Sequence, residues 1–435
     1  MSDNLYFSRD TKMYVAFKKA DGTPQAVFEV PILDGFGFSQ ANNTSEITLA
    51  EMESSAGVSR RGRRLFNDSL APAEWNCSTY VRPFASAGTD YSSGDVHAIE
   101  NVLWAQMAGA DFYNATTHNF ETAKFQDSGA NQLVSTSDGD DLNITFAHSN
   151  RANLQPMDIF FVMETSSTAP VVYKIEDSVV NEATINFEVD GIATIEWSGF
   201  GKNIQDITSV AAALSVSDTP PTAAAGNKGL VHLDNDNSLA FSLSSGTAML
   251  SAKDEGIAST SNFIRNRITA LTIDPVDATT FPGAVGASGD GEDDGNYHLT
   301  LTGGSITITN NIEYLLPEEI GTVNLPLENV TGSRSVTGTL NCYVVYNATN
   351  NTGSSTDLFN DMKATAALAK VNNQFALTMD IGGASSGPRL KLSLPTAHLE
   401  IPTNTIEDVL SFETNFHGLG SSISSADEIS LTYDV

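Results

Sequence analysis

The sequence predicts a mostly β protein of the α+β kind, in which one strand-rich module occurs twice. Three observations carry that expectation. Charged residues are only 17% of the 435-residue chain and hydrophobic residues 40%, so much of the polar surface must come from Ser, Thr, Asn and Gly. Short stretches alternate polar and apolar side chains, as half-buried strands do. And a set of landmarks returns, in the same order, in the second half of the chain.

The strand signals are clearest at Ser305-Ile306-Thr307-Ile308-Thr309 and, more briefly, at Ser45-Glu46-Ile47-Thr48-Leu49. Ala183 to Trp197 reads as two strands turning near Asp190-Gly191, and Leu390, Leu392 and Leu394 alternate after Pro388. The landmarks begin with Asn42-Asn43, which returns as Asn310-Asn311, and Asn76-Cys77, which returns as Asn341-Cys342. A helix follows in each half. The first spans Val96 to Ala108, with Asp95 as N-cap and Gly109 as stop signal. Its counterpart starts at Thr356-Asp357 and carries Leu358, Phe359, Met362 and Ala366 on one face. The endings Trp197-Ser198-Gly199-Phe200-Gly201 and Phe416-His417-Gly418-Leu419-Gly420 complete the set. The spacing between matched landmarks shrinks along the chain, which points to insertions in the first copy, chiefly between Gly109 and Asn150. The expected division is therefore 1–201, a linker or decorating excursion at 202–260, and 261–435. Thr208 to Ser261, rich in Ala, Ser, Thr, Asp and Asn, does not read as core.

Composition excludes several functions. A net charge of −31 leaves no general electrostatic footprint for nucleic acid or an anionic membrane. Met1 to Phe7 lacks a signal-peptide pattern, and no apolar run approaches the roughly 18 residues of a membrane helix. Cys77 and Cys342 are the only cysteines, too few for a disulfide framework, so assembly in a reducing cytoplasm is expected.

No motif supplies catalysis. Gly383-Ala384-Ser385-Ser386-Gly387 matches a nucleophile elbow formally, but Pro388 and a strand follow where a helix is required. Asp290-Gly291-Glu292-Asp293-Asp294-Gly295 resembles a calcium loop, yet its twelfth position is Leu301 where a bidentate Glu is needed. The seven histidines are scattered, without zinc-ligand spacing. No cofactor is expected. One basic cluster stands out: Arg60, Arg61, Arg63 and Arg64 concentrate four of the 22 basic residues between two strand signals, after an acidic stretch from Glu51 to Gly57. A long arm carrying both signs suits docking on an acidic neighbour.

The run Ser59 to Leu70, with Ala73-Glu74-Trp75 and Ser78-Thr79-Tyr80, resembles the major tail tube proteins of long-tailed bacteriophages, in particular the type of a T-odd coliphage. So do Ile195 to Gly199, Thr302-Gly303-Gly304, Ile308 to Ile312, Leu368 to Phe375, Ala397 to Thr403 and Glu407 to Leu410. The resemblance implies a non-enzymatic virion protein of the tail. Its fold would be a β-sandwich or barrel module with a flanking helix and a long hairpin or loop arm, present twice. Three chains would close a pseudo-six-fold ring, and rings would stack into the conduit for the genome. Its partners would be further copies of itself and the tail terminator, tape measure and tail-tip proteins, with double-stranded DNA in non-specific passage and no membrane. Two departures are visible: this chain stops at Val435 without the immunoglobulin-like domain of the coliphage type, and the Thr208 to Ser261 excursion is longer. On this reading Arg60, Arg61, Arg63 and Arg64 form an inter-subunit arm. Glu46 and Glu313, each on the polar side of an alternating stretch, line or lie near an acidic lumen. Two other classes stay open: a different assembling virion protein, such as a tail-tip or capsid decoration component, and a β-rich hydrolase or carbohydrate-binding protein.

Overall fold

The computed structural model describes residues 6–18, 24–47, 64–86, 94–114, 117–122, 131–137, 141–146, 154–165, 168–207, 232–233, 239–240, 249–250, 262–276, 297–316, 325–345, 354–366, 374–383, 387–406, 409–423 and 425–435. The chain is mostly β, as its alternating stretches predict.

The first half holds β1 (Thr11–Lys18), β2 (Pro24–Val30), the long pair β3 (Gly37–Ile47) and β4 (Arg64–Tyr80), and the short β5 (Pro83–Ala85) and β6 (Val96–Ala98). Helix α1 (Asn101–Ala108) leads into β7 (Phe112–Asn114), β8 (Asn119–Thr122), β9 (Asn131–Ser137) and β10 (Asp141–Thr145). Then come β11 (Met157–Thr165), β12 (Thr168–Glu188), β13 (Thr194–Gly201) and β14 (Asn203–Asp206). Three two-residue strands follow, β15 (His232–Leu233), β16 (Leu239–Ala240) and β17 (Met249–Leu250). The second half has β18 (Ala270–Pro275), β19 (Tyr297–His298), β20 (Thr300–Thr309), β21 (Ile312–Tyr314), β22 (Asn329–Thr331) and β23 (Ser335–Tyr343). Helix α2 (Ser355–Ala366) precedes β24 (Phe375–Ile381), β25 (Arg389–Leu399), β26 (Thr403–Thr405), β27 (Ser411–Leu419) and β28 (Ser430–Asp434). No helix among the described residues is long and apolar enough to cross a membrane.

The antiparallel ladder of the first half runs β2–β1–β11–β12–β13–β4–β3. That of the second half runs β19–β18–β24–β25–β27–β23–β20. The connection order is the same in both. The two ladders join where β12 pairs with β20, from Glu182↔Thr309 to Glu188↔Gly303. Register does not honour all the sequence landmarks at once. Trp197 stands opposite Cys77, but the residue opposite Cys342 is Phe412, while Gly418 stands opposite Val336. The cysteine match and the aromatic-glycine match thus differ by a slide along the strands, which similar residue types in β-rich segments conceal.

Helix α1 is shorter than predicted. Val96, His97 and Ala98 pair with Ala85, Phe84 and Pro83 as a strand, so the helix begins at Asn101 behind Glu100, and Asp95 is not its cap. Gly109 does end it, in a left-handed conformation with φ 89° that a residue with a Cβ adopts at a cost. All eight helical residues are buried, not one face alone, because the insertion after Gly109 folds over the helix. That insertion is the antiparallel series β7–β8–β9–β10. Strand β28 then bridges β10 of the first half and β25 of the second. Helix α2 begins at Ser355, just before the expected Thr356-Asp357: Ser354 and Asp357 cap each other's backbone, Ser354 N donating to Asp357 Oδ2 and Asp357 N to Ser354 Oγ.

One apolar core draws on both halves, from Met13 to Tyr433. Trp104 of α1 is fully buried in it, edge-on to Trp197 at 4.6 Å and to Phe146 at 6.3 Å. Within the 202–260 stretch, Met249–Leu250 adds as a parallel strand to the edge of β2, and β15 pairs with β16.

Candidate functional site

Side chains alternate along the joined ladder, so its two faces differ sharply. Ala183, Ile185, Phe187, Ile195, Trp197, Ile306, Ile308, Leu340, Cys342 and Phe416 point into the core. The opposite face carries three rows of directly paired residues. One is Ser78–Glu196–Thr184–Thr307–Thr337–His417, across six strands. The next is Tyr80–Thr194–Asn186–Ser305–Thr339–Asn415. The third is Asn76–Ser198–Glu182–Thr309–Ser335. These rows contain neither Lys nor Arg. Thr184 and Thr307 share a hydroxyl hydrogen bond of 2.9 Å across the join, Ser305 and Thr339 one of 3.3 Å, and Asn186 Nδ2 donates to Glu196 Oε1 at 3.1 Å. Small polar side chains tied to one another form an ordered, weakly anionic surface.

From one end of this face, β3 and β4 run on as a two-stranded ribbon, paired from Asn42↔Leu70 out to Ile47↔Arg64. Ala41 to Glu46 are all exposed, as are Leu65 to Asp68, so the described residues of the ribbon are open on both faces. Arg64 opens β4; Arg60, Arg61 and Arg63 lie outside the described residues. Strands β3 and β4 pair antiparallel on either side of residues 48–63, which lie outside the described residues.

Neither predicted lumen acid lies in the polar rows. Glu46 is on the ribbon, paired with Leu65. Glu313 is on β21, paired with Val330 and exposed. The alternation that placed Glu313 after Thr309 breaks at Asn311, whose φ is 50°. The acids that do face outward from the rows are Glu182 and Glu196. Sequence alternation marked their strands, but only the register shows that they share a face with β20.

The second connection of this kind, from β20 to β23, folds back on the first half. Ile312 packs with Leu154 and Val179, Tyr314 Oη donates to the Asp177 carbonyl, and Asn329 exchanges hydrogen bonds with the backbone of Leu154. Arg334 completes the clasp, donating to the carbonyls of Phe146 at 2.8 Å and Ala426 at 3.2 Å and to Glu428 Oε2 at 2.6 Å.

Two buried polar networks lie away from this face. Lys18 Nζ bridges Asp158 at 2.6 Å and Asp177 at 2.8 Å, and Lys174 meets Asp158 at 3.1 Å. The Lys18 ammonium is held above its ordinary pKa: burial opposes its charge, and the two carboxylates outweigh that cost. At the N-terminus of α1, Tyr433 Oη donates to Glu100 Oε1 at 2.8 Å and accepts from Trp104 Nε1 at 2.7 Å. Burial pushes the Glu100 carboxyl up to about 7, although Tyr433 and the Arg82 charge pull it down. Both cysteine thiols are pushed up to about 12 by burial, so they stay protonated and pack as small apolar groups.

Against known proteins, the chain is 23% identical over 428 residues to tail tube protein pb6 of Escherichia phage T5, the match covering 98% of this chain and 75% of that protein. No family model matches the sequence. The likeness to a coliphage tail tube protein read from the sequence thus extends along almost the whole chain, in a fold of the expected β-rich class.

Proposed function

We propose that this chain is the structural subunit of a phage tail tube, a virion component without enzymatic activity. It is two tail-tube modules, about 1–201 and 261–435, joined side by side through β12 and β20. Three chains close a ring of six modules, and rings stack into a channel through which double-stranded DNA leaves the capsid. Terminator, tape measure and tail-tip proteins meet the tube at its ends and in its lumen.

The observation that carries this reading is the joined sheet, whose polar rows hold neither Lys nor Arg. A wall for moving DNA must be wet but must not grip phosphates, and each exposed Lys or Arg would be a phosphate contact. Glu182 and Glu196, among Ser, Thr and Asn, repel the duplex weakly and evenly. Glu46 and Glu313 stand nearer the end of the wall from which the ribbons leave. The in-chain joint also supports ring closure. In matching positions of the two ladders, β20 has its outer edge covered by β12, whereas no strand among the described residues pairs with that edge of β3. The segment of β25 and β26 beside β27 likewise corresponds to the part of β12 that covers β20. Open edges of these two kinds on one chain suit head-to-tail pairing between chains. The similarity to pb6, a tail tube protein, supports the structural tail role.

Negative-stain electron microscopy of the purified chain, concentrated at moderate salt, tests the reading. Hollow tubes of stacked rings with an empty bore are expected. Discrete caps or isolated trimers at every concentration would favour a decoration or tip protein, and solid fibres would rule out a channel.

A further inference from the structure

Two histidines stand side by side on the polar face, at the edge of the second ladder. His398 of β25 pairs with His417 of β27 and so lengthens the row that runs from Ser78 to His417. His398 is half-buried and His417 exposed. Glu400, two residues on, accepts from Asn415 Nδ2 at 2.9 Å, and its Oε1 lies 3.5 Å from His417 Nε2. These two contacts, Asn415 first, hold the Glu400 carboxyl below the usual carboxylate range, with His417 and His398 adding their charge. The neighbouring strands bring no cation to the patch. Strand β23 presents Thr337, Thr339 and Asn341 to it, β26 presents Thr403, and Glu413 lies one row beyond Asn415.

The in-chain joint indicates what this edge meets. Strand β12 leaves β11 and takes up β13 at Ser178–Val179, and β25 leaves β24 and takes up β27 at Thr396–Ala397. With those switch points superposed, Glu182 matches His398, Thr184 matches Glu400, and Trp197-Ser198-Gly199 falls in register with Phe416-His417-Gly418. In the joint, Glu182 stands opposite Thr309 and Thr184 opposite Thr307. Followed through the matching strands, the counterparts of Thr309 and Thr307 on the first ladder are Ser39 and Gly37. Ser39 pairs with Glu74 and Gly37 with Asn76, and all four line a hollow of about 560 Å³ beside the unpaired edge of β3. Glu74 is exposed and is the one charged residue of that lining.

We infer that the seam between chains holds a proton-operated fastener, in which His398 and His417 of one chain lie between their own Glu400 and Glu74 of the next. This rests on the tube reading and deepens it. His398 would stand opposite Ser39, with Glu74 one strand further on; the backbones are then roughly 10 Å apart, and the small Ser39 lets the longer side chains meet above it. Imidazole is the side chain whose charge changes between pH 5 and 8. Protonated, the pair puts positive charge between two carboxylates; neutral, it leaves Glu400 and Glu74 to repel each other across the seam. Closure therefore takes up protons, is favoured by mild acid and weakens as pH rises.

The test follows assembly of the full-length chain by sedimentation between pH 5.5 and pH 8. Each partly exposed pair is worth a few-fold, so wild type should need about tenfold more protein to assemble at pH 8 than at pH 5.5. His398→Asn with His417→Asn should flatten that dependence. His398→Glu should assemble poorly at every pH, and adding Glu74→Lys to the same chain should restore assembly and make it insensitive to pH. Circular dichroism melts establish that each variant is folded before it is scored. An unchanged pH profile in the Asn variant, or a folded His398→Glu chain that Glu74→Lys fails to restore, would overturn the fastener and leave the tube reading standing. Wild type that forms neither rings nor tubes at any pH would overturn both.

Discussion

Replacing Glu100 by Gln should remove a specific part of the protein's pH dependence. The carboxyl is fully buried, and its Oε2 has no hydrogen-bond partner. A carboxylate there is costly, so burial holds its pKa near 7 in the folded chain against an ordinary 4.5. Between those values the folded chain keeps a proton that the unfolded chain has released. The resulting stability is complete below about pH 4.5 and lost as pH rises through about 7. At about 1.4 kcal/mol per pH unit, that gap amounts to about 3 kcal/mol. Gln is neutral throughout, and its carbonyl can accept the same hydrogen bond from Tyr433. The difference in unfolding free energy between variant and wild type should therefore change by about 3 kcal/mol between pH 4.5 and pH 8, in the variant's favour at the higher pH. Urea titration followed by the fluorescence of Trp104 and its neighbours, on dilute unpolymerised protein, measures it. His97 and Arg82 lie close by but are common to both proteins, so they cancel unless they couple to residue 100. A difference that stays constant across this range would show that Glu100 is already ionised in the fold, and the account of its burial would fail.

Gly199→Ala should destabilise the first half by about 2 kcal/mol or more through overpacking, since its Cβ would fall 2.1 Å from the Val179 carbonyl oxygen and 2.6 Å from the Trp75 ring; a melt unchanged from wild type would contradict the close packing of β13 on β12. Arg334→Ala should cost about 3 kcal/mol, because it strips the partner from the half-buried Glu428 and two carbonyls; urea titration reads it, and a loss below about 1 kcal/mol would make the clasp incidental. Thr184→Lys with Thr307→Lys should give tubes that retain DNA on a filter at low salt and release it as salt rises; no retention would place these rows away from the bore. Reversing Arg60, Arg61, Arg63 and Arg64 to Glu should shorten tubes, most at low ionic strength, and normal lengths in micrographs would remove the arginines from the stacking contact.

The alternation of Ile306 and Ile308, or of Leu390, Leu392 and Leu394, is a local property, and it marked the strands correctly. The first helix starts later than its sequence predicts because Val96, His97 and Ala98 can continue an apolar helical face as readily as they form a strand. What decides is Pro83–Ala85 lying alongside, a tertiary fact. The same holds for the polar wall: Ser78, Thr184, Thr337 and His417 are unremarkable apart and become one row only through five cross-strand registers. Glu46 keeps its period-two place within β3, paired with Leu65 beyond the polar rows, whereas the pattern that leads to Glu313 is interrupted by the turn at Asn311. The Glu100 network joins residues more than three hundred positions apart, and no spacing rule reaches that far.

The joint between the ladders has a mechanical consequence. Seven successive residue pairs couple β12 to β20, β28 ties the two halves together again through β10 and β25, and the Arg334 clasp adds a third fastening. Shearing one half past the other would break all three at once, so the described residues of the two halves move as one piece. In the proposed three-chain ring, every second joint around the circumference would be covalently backed and stiff. Bending and twisting must then be taken up in the seams between chains. Elasticity would have a three-fold grain where the geometry approaches six-fold, and a strain arriving at one end would travel along those seams, leaving the subunits undeformed.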